Sequence, residues 1–446
     1  MEKVIIKKIP GYDQALISEF AASAMQILAL EPRQKGFIKP NLVHATRYGE
    51  HAYTHPAFMR GVLCALRERG VKERIIFEDC GLMVPLRYVY RKSGYNKLCK
   101  EENTRFLNLS EAVHDGFLKV PDHRVHPFLP LPKILTGNGL RVFVPKLKVH
   151  SQTDITGASK LLIGLIKRSI RLKSHHYDLG NKIADALRAF PPDLVLVDAI
   201  TVGVNGVGCP DPRNLGLAIA SRNAVAADSV GAWLLGFEPC KIEHLVLASK
   251  RGLGPVSLRD IEIINPDNAK PAPLGYYYEK PISELNPYMK YLEGRLYNGK
   301  RCRGGCVGFV AEAIHYINHY RAWRNKEKVN TAAKALFRLL GQDPSQERPR
   351  KLGIVVGEYD GEIPHDVIDN LIFVGDCTHA KGVKPKLHLK GCPVYMARKA
   401  FAFSRKARII NPYIDVMEGL PFIRAFLEEQ FMRVWNQATH SLRRSI

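Results

Sequence analysis

The sequence predicts an α/β protein: a mostly parallel sheet flanked by helices, with a smaller carboxyl-terminal α/β unit that bears cysteines. Three observations lead there. Strand-like and helix-like segments alternate through the first 265 residues, the rhythm of a largely parallel sheet. The segment DLVLVDAI is apolar without alternation, as a strand covered on both faces is. Residues 266–300 then break the rhythm with a Pro- and Tyr-rich stretch, and a shorter alternation resumes after it. The organisation predicted is a domain over 1–265, a connector over 266–300, and a cysteine-bearing unit over 301–446 that ends in an amphipathic tail helix.

The elements follow in order. KVIIKKI predicts a strand and residues 12–30 an amphipathic helix. GFIKPN is a short strand, and HPAFMRGVLCALRERG is a helix with Pro56 suited to its first turn. RIIFED is the next strand and RYVYRKSGYNKLCK the next helix. RVFVPKLKVH reads as one strand, followed by helical patterns at 157–171 and 176–189. DLVLVDAI and LGLAIAS are strands, with a helix over 224–236 after them. Beyond the connector come helices at 306–323 and 328–341, a charged linker, the strands LGIVV and LIFV, and a helix over 393–405. In the tail, Ile423, Phe426, Leu427, Phe431, Val434 and Trp435 recur at helical spacing and are expected to pack back on the body.

Composition sets outer limits. The chain has 446 residues, 46% hydrophobic and 24% charged, which excludes a disordered or fibrous class. Its formal charge of +23 favours an anionic partner: an acidic protein, a phosphorylated or carboxylate metabolite, nucleic acid or anionic lipid. No apolar run approaches the roughly 18 residues a membrane span requires, and the start, MEKVIIKKIPGYDQ, lacks a signal-peptide pattern. A cytoplasmic protein is expected. Nine scattered cysteines argue against a disulfide scaffold and for buried thiols plus a metal site.

Four cysteines stand apart. Cys302 and Cys306 lie in RCRGGCVGF, Cys377 in LIFVGDCTH and Cys392 in KGCPVYM. Each falls at a strand end or helix start, where a thiol can project towards a shared point and where the dipole favours a thiolate. Four thiolates suit a [4Fe–4S] cluster or Zn²⁺. The spacing lacks the tight C-x2-C knuckles of structural zinc, which favours the cluster. Cys80 and Cys209 are further thiols at strand ends or loops.

In the amino-terminal part, Lys39 and Asn41 close a strand, and His55 opens a helix. Lys146, Lys148 and His150 end a strand, while Thr156 and Lys160 lead into a helix. Lysines, hydroxyls and helix-start N–H groups are the chemistry of anion binding. Asp198 closes DLVLVDAI as a possible base or metal ligand, and His55 or His150 is suited to proton transfer. Asp228 reads as a first-turn helix carboxylate. His315 and His319 sit one helical turn apart, a metal-ligand spacing, near Glu312; His175–His176 read as anion ligands or loop.

Several stretches occur together in one order: FIKPNLV, THP, VPKLKVHSQTDITGASKLLIGLIKR, LVLVDAI and GLAIASRNAVAADSVGAWLLG. In these, residues 35–265 resemble the "domain of unknown function 362" family. The resemblance implies a redox or iron–sulfur setting, since members are often fused to, or found beside, ferredoxin-like modules with [4Fe–4S] clusters. The reading that follows is an iron–sulfur protein, a redox or cluster-assisted enzyme acting on an anionic small molecule. An acidic ferredoxin-like carrier would suit its basic surface. The alternatives are a zinc-stabilised nucleic-acid-binding protein, or a cluster-free transferase or ligase on a phosphorylated metabolite.

Overall fold

This computed structural model describes every residue except 32, 47–50, 82–83, 175–177, 209, 273, 275–281, 327–334, 336–337, 340–346, 395, 413–414 and 446. Cys209, His175–His176 and most of the expected helix over 328–341 therefore lie outside the described residues.

The strands are β1 (Glu2–Lys8), β2 (Lys35–Pro40), β3 (Glu73–Glu78), β4 (Arg105–Asn108), β5 (Gly116–Lys119), β6 (Phe128–Leu131), β7 (Leu140–Val144), β8 (Lys146–His150), β9 (Asp154–Thr156), β10 (Leu194–Val204), β11 (Asp211–Ser221), β12 (Ile261–Ile264), β13 (Met289–Glu293), β14 (Leu352–Tyr359), β15 (Leu371–Ala380) and β16 (Leu387–Leu389). A ten-stranded sheet runs β12-β1-β11-β10-β7-β2-β3-β4, with β8 and β9 continuing beside β10. Most of its pairs are parallel, but β11 runs antiparallel to both β1 and β10. Apolar cores cover both faces: one holds Phe77, Phe143 and Val197, the other Phe58, Ile76 and Leu196. That double coverage is the reason DLVLVDAI shows no alternation. The carboxyl-terminal sheet, β13-β14-β15-β16, is parallel throughout.

Several boundaries differ from expectation. RVFVPKLKVH is two strands, because Pro145 has no N–H to donate; its carbonyl accepts from the Asp198 N–H at 2.9 Å. The helix over 87–100 is two, Leu86–Lys92 and Tyr95–Glu101, parted at Gly94 with φ of 81°. The pattern at 157–171 divides into Ala158–Leu161, a 3₁₀ turn over Leu162–Leu165, and Arg168–Ser174. The stretch expected as connector supplies β13, which pairs in register with β14, so the second unit's sheet begins within 266–300. The helix expected at 393–405 is Met396–Ala407.

The tail is a single helix, Val416–Ser445, but it docks by the opposite face. Ala425 and the carboxylates of Glu418 and Glu429 are buried against the body. Glu429 accepts from the Leu86 N–H at 2.7 Å and pairs with Arg168 at 2.8 Å. Ile423, Phe426, Leu427, Phe431, Val434 and Trp435 are exposed, which corrects the expected packing. The charged contacts need Arg168 and the helix Leu86–Lys92, so they fix the face turned inward and leave the apolar stripe outside. Among the described residues, no helix is long and apolar enough to cross a membrane.

Candidate functional site

A cavity of about 640 Å³ opens at the carboxyl ends of β2, β3 and β8, where ligands of parallel sheets sit. The helix Gly308–Lys326 walls it with Phe309, Glu312 and Tyr316, and the tail helix adds Glu418 and Phe422. The site is therefore built by both units.

Lys39, Asn41, His150, Thr156 and Lys160 all line this cavity. Lys39 is buried in an ion pair with Glu78 and also donates to the Pro40 carbonyl at 3.1 Å. Burial pushes the Lys39 ammonium down and the Glu78 carboxyl up, and the pairing opposes both. Burial alone would raise Asp79, but Arg171 and Arg168 hold it below the usual carboxylate range. His150 accepts at Nδ1 from the Gln152 N–H at 3.1 Å, which leaves Nε2 as the ring's donor. Burial holds the Lys160 ammonium down to about 7, with Glu312 opposing. Glu312 itself accepts from Ser151 Oγ at 2.9 Å.

Part of the cavity's polar capacity is unspent. The side-chain oxygens Oδ1 of Asn41 and Oγ1 of Thr156, and Nδ1 of His44, are buried with no hydrogen-bond partner among the described residues. Buried polar atoms in this state are available to a ligand or to water. Thr156 and Lys160 are positioned by Gly157: Asp228 accepts from the N–H groups of Ala158 at 2.6 Å and Ser159 at 2.8 Å. A Cβ on Gly157 would fall 2.1 Å from Asp228 Oδ1, so only glycine admits the carboxylate. Asp228 thus caps a neighbouring segment's helix start, not its own helix. Burial raises it to about 6 against those N–H donors.

Asp198, Lys146 and His55 form a separate network, and Lys148 is held apart from it by backbone carbonyls. Asp198 is fully buried and pairs with Lys146 at 3.0 Å. It also accepts from Tyr12 Oη at 3.1 Å and from the His55 N–H at 3.0 Å. His55 caps its helix through Nδ1 and stacks on Tyr12 at 3.8 Å, and burial lowers it to about 4. Lys148 is buried and donates to the carbonyls of Ala52 at 2.7 Å and Val207 at 2.9 Å. Asp198, Lys146, Tyr12, His55 and Lys148 are all absent from the cavity lining.

The four cysteines share one neighbourhood. Cys377 is pushed up by burial and then by the thiols of Cys302, Cys306 and Cys392. Gly375, at φ of 104°, lets β15 pass so close that a Cβ there would lie 3.2 Å from Cys306 Sγ. Cys306 sits in a π turn, Arg303–Val307, ahead of the cavity-wall helix. Among the described residues, no three of these sulfurs lie within 4.8 Å of one another. Lys399 joins this region to the cavity: buried, it donates to the Cys306 carbonyl at 3.1 Å and lies 5.1 Å from the centre of the Phe309 ring. Burial holds Lys399 down to about 7, opposed by Cys306 and Glu312.

Sequence reasoning missed Arg171, Tyr316, Glu418 and Lys399 as parts of the site. Each stands in a helix whose own pattern reads as ordinary packing, and distant segments bring them together. Glu78 and Asp79 carried a signal, two carboxylates closing a strand.

Fold and cavity define an α/β protein with a cleft at the carboxyl ends of its parallel strands. Residues 37–233 match the model of the family described as Domain of unknown function (DUF362). A thylakoid-associated protein of Synechocystis sp. is 26% identical over 235 residues, covering 51% of this chain and 71% of its own length. Among solved structures, a Thermotoga maritima protein aligns with a TM-score of 0.31 at 14% identity, over 55% of this chain and 60% of that chain. The lactate racemase apoprotein of Thermoanaerobacterium thermosaccharolyticum aligns with a TM-score of 0.35 at 11% identity, over 94% of this chain and 89% of that one.

Proposed function

We propose an iron–sulfur protein in which a centre held by Cys302, Cys306, Cys377 and Cys392 serves an adjoining anion-binding cavity. The observation that carries this reading is the adjacency: Lys399 touches the Cys306 carbonyl on one side and the cavity-lining Phe309 on the other. The donor set fits such a group. Four thiols from three separated segments face one neighbourhood, as the ligands of one inorganic core must. A tetrahedral zinc site with Zn–S of about 2.3 Å holds its sulfurs roughly 3.8 Å apart. The wider spread here favours a multi-iron [4Fe–4S] core over a single ion.

When bound, a cluster held by four thiolates would supply electrons. The chain's own residues would do the rest. Protonated Lys160 would pair with a carboxylate or phosphate of the substrate. Asn41, His44 and Thr156 would spend their free polar atoms on it, and His150 would donate or move a proton from Nε2. The tail helix and Phe309, which both line the cavity, would limit the water that reaches it. An acidic ferredoxin-like carrier would dock on the basic surface.

Anaerobic purification with iron and acid-labile sulfide assays tests the centre. The expected result is a brown protein whose colour is lost in Cys377→Ser and Cys392→Ser. A colourless protein that takes up no iron and sulfide on reconstitution overturns the reading.

A further inference from the structure

The helix that walls the cavity carries a second cluster of ligating groups, away from the cysteines. His315 and His319 lie one turn apart on Gly308–Lys326, with ring centroids 6.2 Å apart. Facing them is Asp211, the first residue of β11. Its Oδ1 is 2.8 Å from His319 Nε2, and its Oδ2 accepts from Asn205 Nδ2 at 2.9 Å. One ligand atom from each of Asp211, His315 and His319 falls within 4.8 Å of the others, and all three residues are half-buried.

An ion pair between Asp211 and His319 needs only one imidazole. Here a second one, at the same helical face, brings a ring nitrogen to the same point. The carboxylate is held from behind by Asn205, which is how outer-sphere partners orient metal-binding carboxylates. From these contacts we infer that Asp211, His315 and His319 form a binding site for a divalent first-row transition ion of the Zn²⁺ class.

The donor chemistry selects the ion. Two imidazole nitrogens and one carboxylate oxygen, without a thiolate, suit Zn²⁺ and its neighbours and exclude Ca²⁺ or Mg²⁺, which take all-oxygen shells. Metal–nitrogen and metal–oxygen bonds of about 2.0–2.2 Å are reached by a small rotation of side chains already this close. Three protein ligands leave the fourth position to water, the pattern of an open rather than a closed zinc site.

The placement gives the ion a role. Asp211 belongs to the β10–β11 hairpin of the amino-terminal sheet, while both histidines belong to the helix that follows Cys306. The same helix presents Glu312 and Tyr316 to the cavity. The ion therefore staples the cavity wall to the amino-terminal unit, and its binding energy opposes separation of the two. This site is independent of the cysteine centre, since it shares no ligand with it.

The test uses the full-length chain, stripped with a chelator and then titrated with Zn²⁺ by calorimetry and with Co²⁺ by absorption. The expected wild-type result includes a component of about one Zn²⁺ per chain that is absent from Asp211→Asn and from His315→Gln/His319→Gln. For Co²⁺, that component has weak d–d bands without thiolate charge-transfer absorption. Asp211→Asn keeps the shape and the Asn205 contact, so it separates metal loss from misfolding. A second readout is thermal: Zn²⁺ raises the wild-type melting temperature, and Asp211→Asn loses that rise. Equal Zn²⁺ stoichiometry in wild type and both variants, or Co²⁺ spectra showing thiolate bands alone, overturns the inference.

Discussion

Two groups of lysines lie at neighbouring strand ends of the same sheet, and they differ in how their charges are used. Around Asp198, Lys146, Tyr12 and the His55 backbone satisfy the carboxylate from three directions, and the group is sealed. Around the cavity, Lys39 is paired with Glu78, but burial holds Lys160 down with the Glu312 charge opposing, and Asn41, His44 and Thr156 each keep a polar atom with no partner among the described residues. The same residue types therefore serve two ends. A closed network orders the chain where β8 meets β10, whereas an open one holds binding capacity in reserve for a ligand.

The contrast is broken most forcefully at Asp198. Asp198→Asn leaves the Lys146 ammonium buried without its counter-charge and is expected to cost about 3–5 kcal/mol in urea denaturation. It should leave anion binding by the folded fraction unchanged. Next is Gly157→Ala, whose Cβ would strike Asp228. We expect a loss of about 1–3 kcal/mol in stability from overpacking, together with weakened anion binding as Thr156 and Lys160 shift.

Lys160→Met reverses the pattern. Stability at pH 7 should rise, since the variant removes a lysine whose charged form burial disfavours. Phosphate or carboxylate affinity, read by calorimetry, should fall roughly 10- to 100-fold for the loss of one charge-assisted contact. The smallest effect is on pH dependence. Lys160 is held at about 7, below its ordinary 10.5, so the unfolded chain binds the extra proton between those values. Its contribution to stability therefore rises with pH from about 7 to 10.5 and is lost as pH falls through that window. Anion affinity should run the other way, declining above pH 7 as the amine becomes neutral; in Lys160→Met both slopes should flatten.

The tail helix gives a further lesson about legibility. Its apolar spacing identified the helix, yet not the face it turns inward. Glu418 and Glu429 found buried partners in Tyr88, Lys92, the Leu86 N–H and Arg168, while Ile423, Leu427 and Phe431 stayed exposed. A carboxylate whose partners are over 200 residues away looks in the sequence like any solvated charge.

Much was nevertheless determined by the sequence alone. Periodicity and the unalternating DLVLVDAI strand set the sheet and its double coverage, because burial on both faces demands apolar residues at consecutive positions. The strand-end motifs KPN and KLKVH, with the T-G-x-S-K segment after them, marked Lys39, Asn41, His150, Thr156 and Lys160, since parallel strands deliver their carboxyl ends to one edge. Only the tertiary structure decided which polar residues neutralise each other and which stay open. It alone joined Cys306 to the cavity through Lys399, and Asp211 to His315 and His319. Pairing between distant segments depends on how helices pack across the sheet, and that packing is set by the whole core rather than by local spacing.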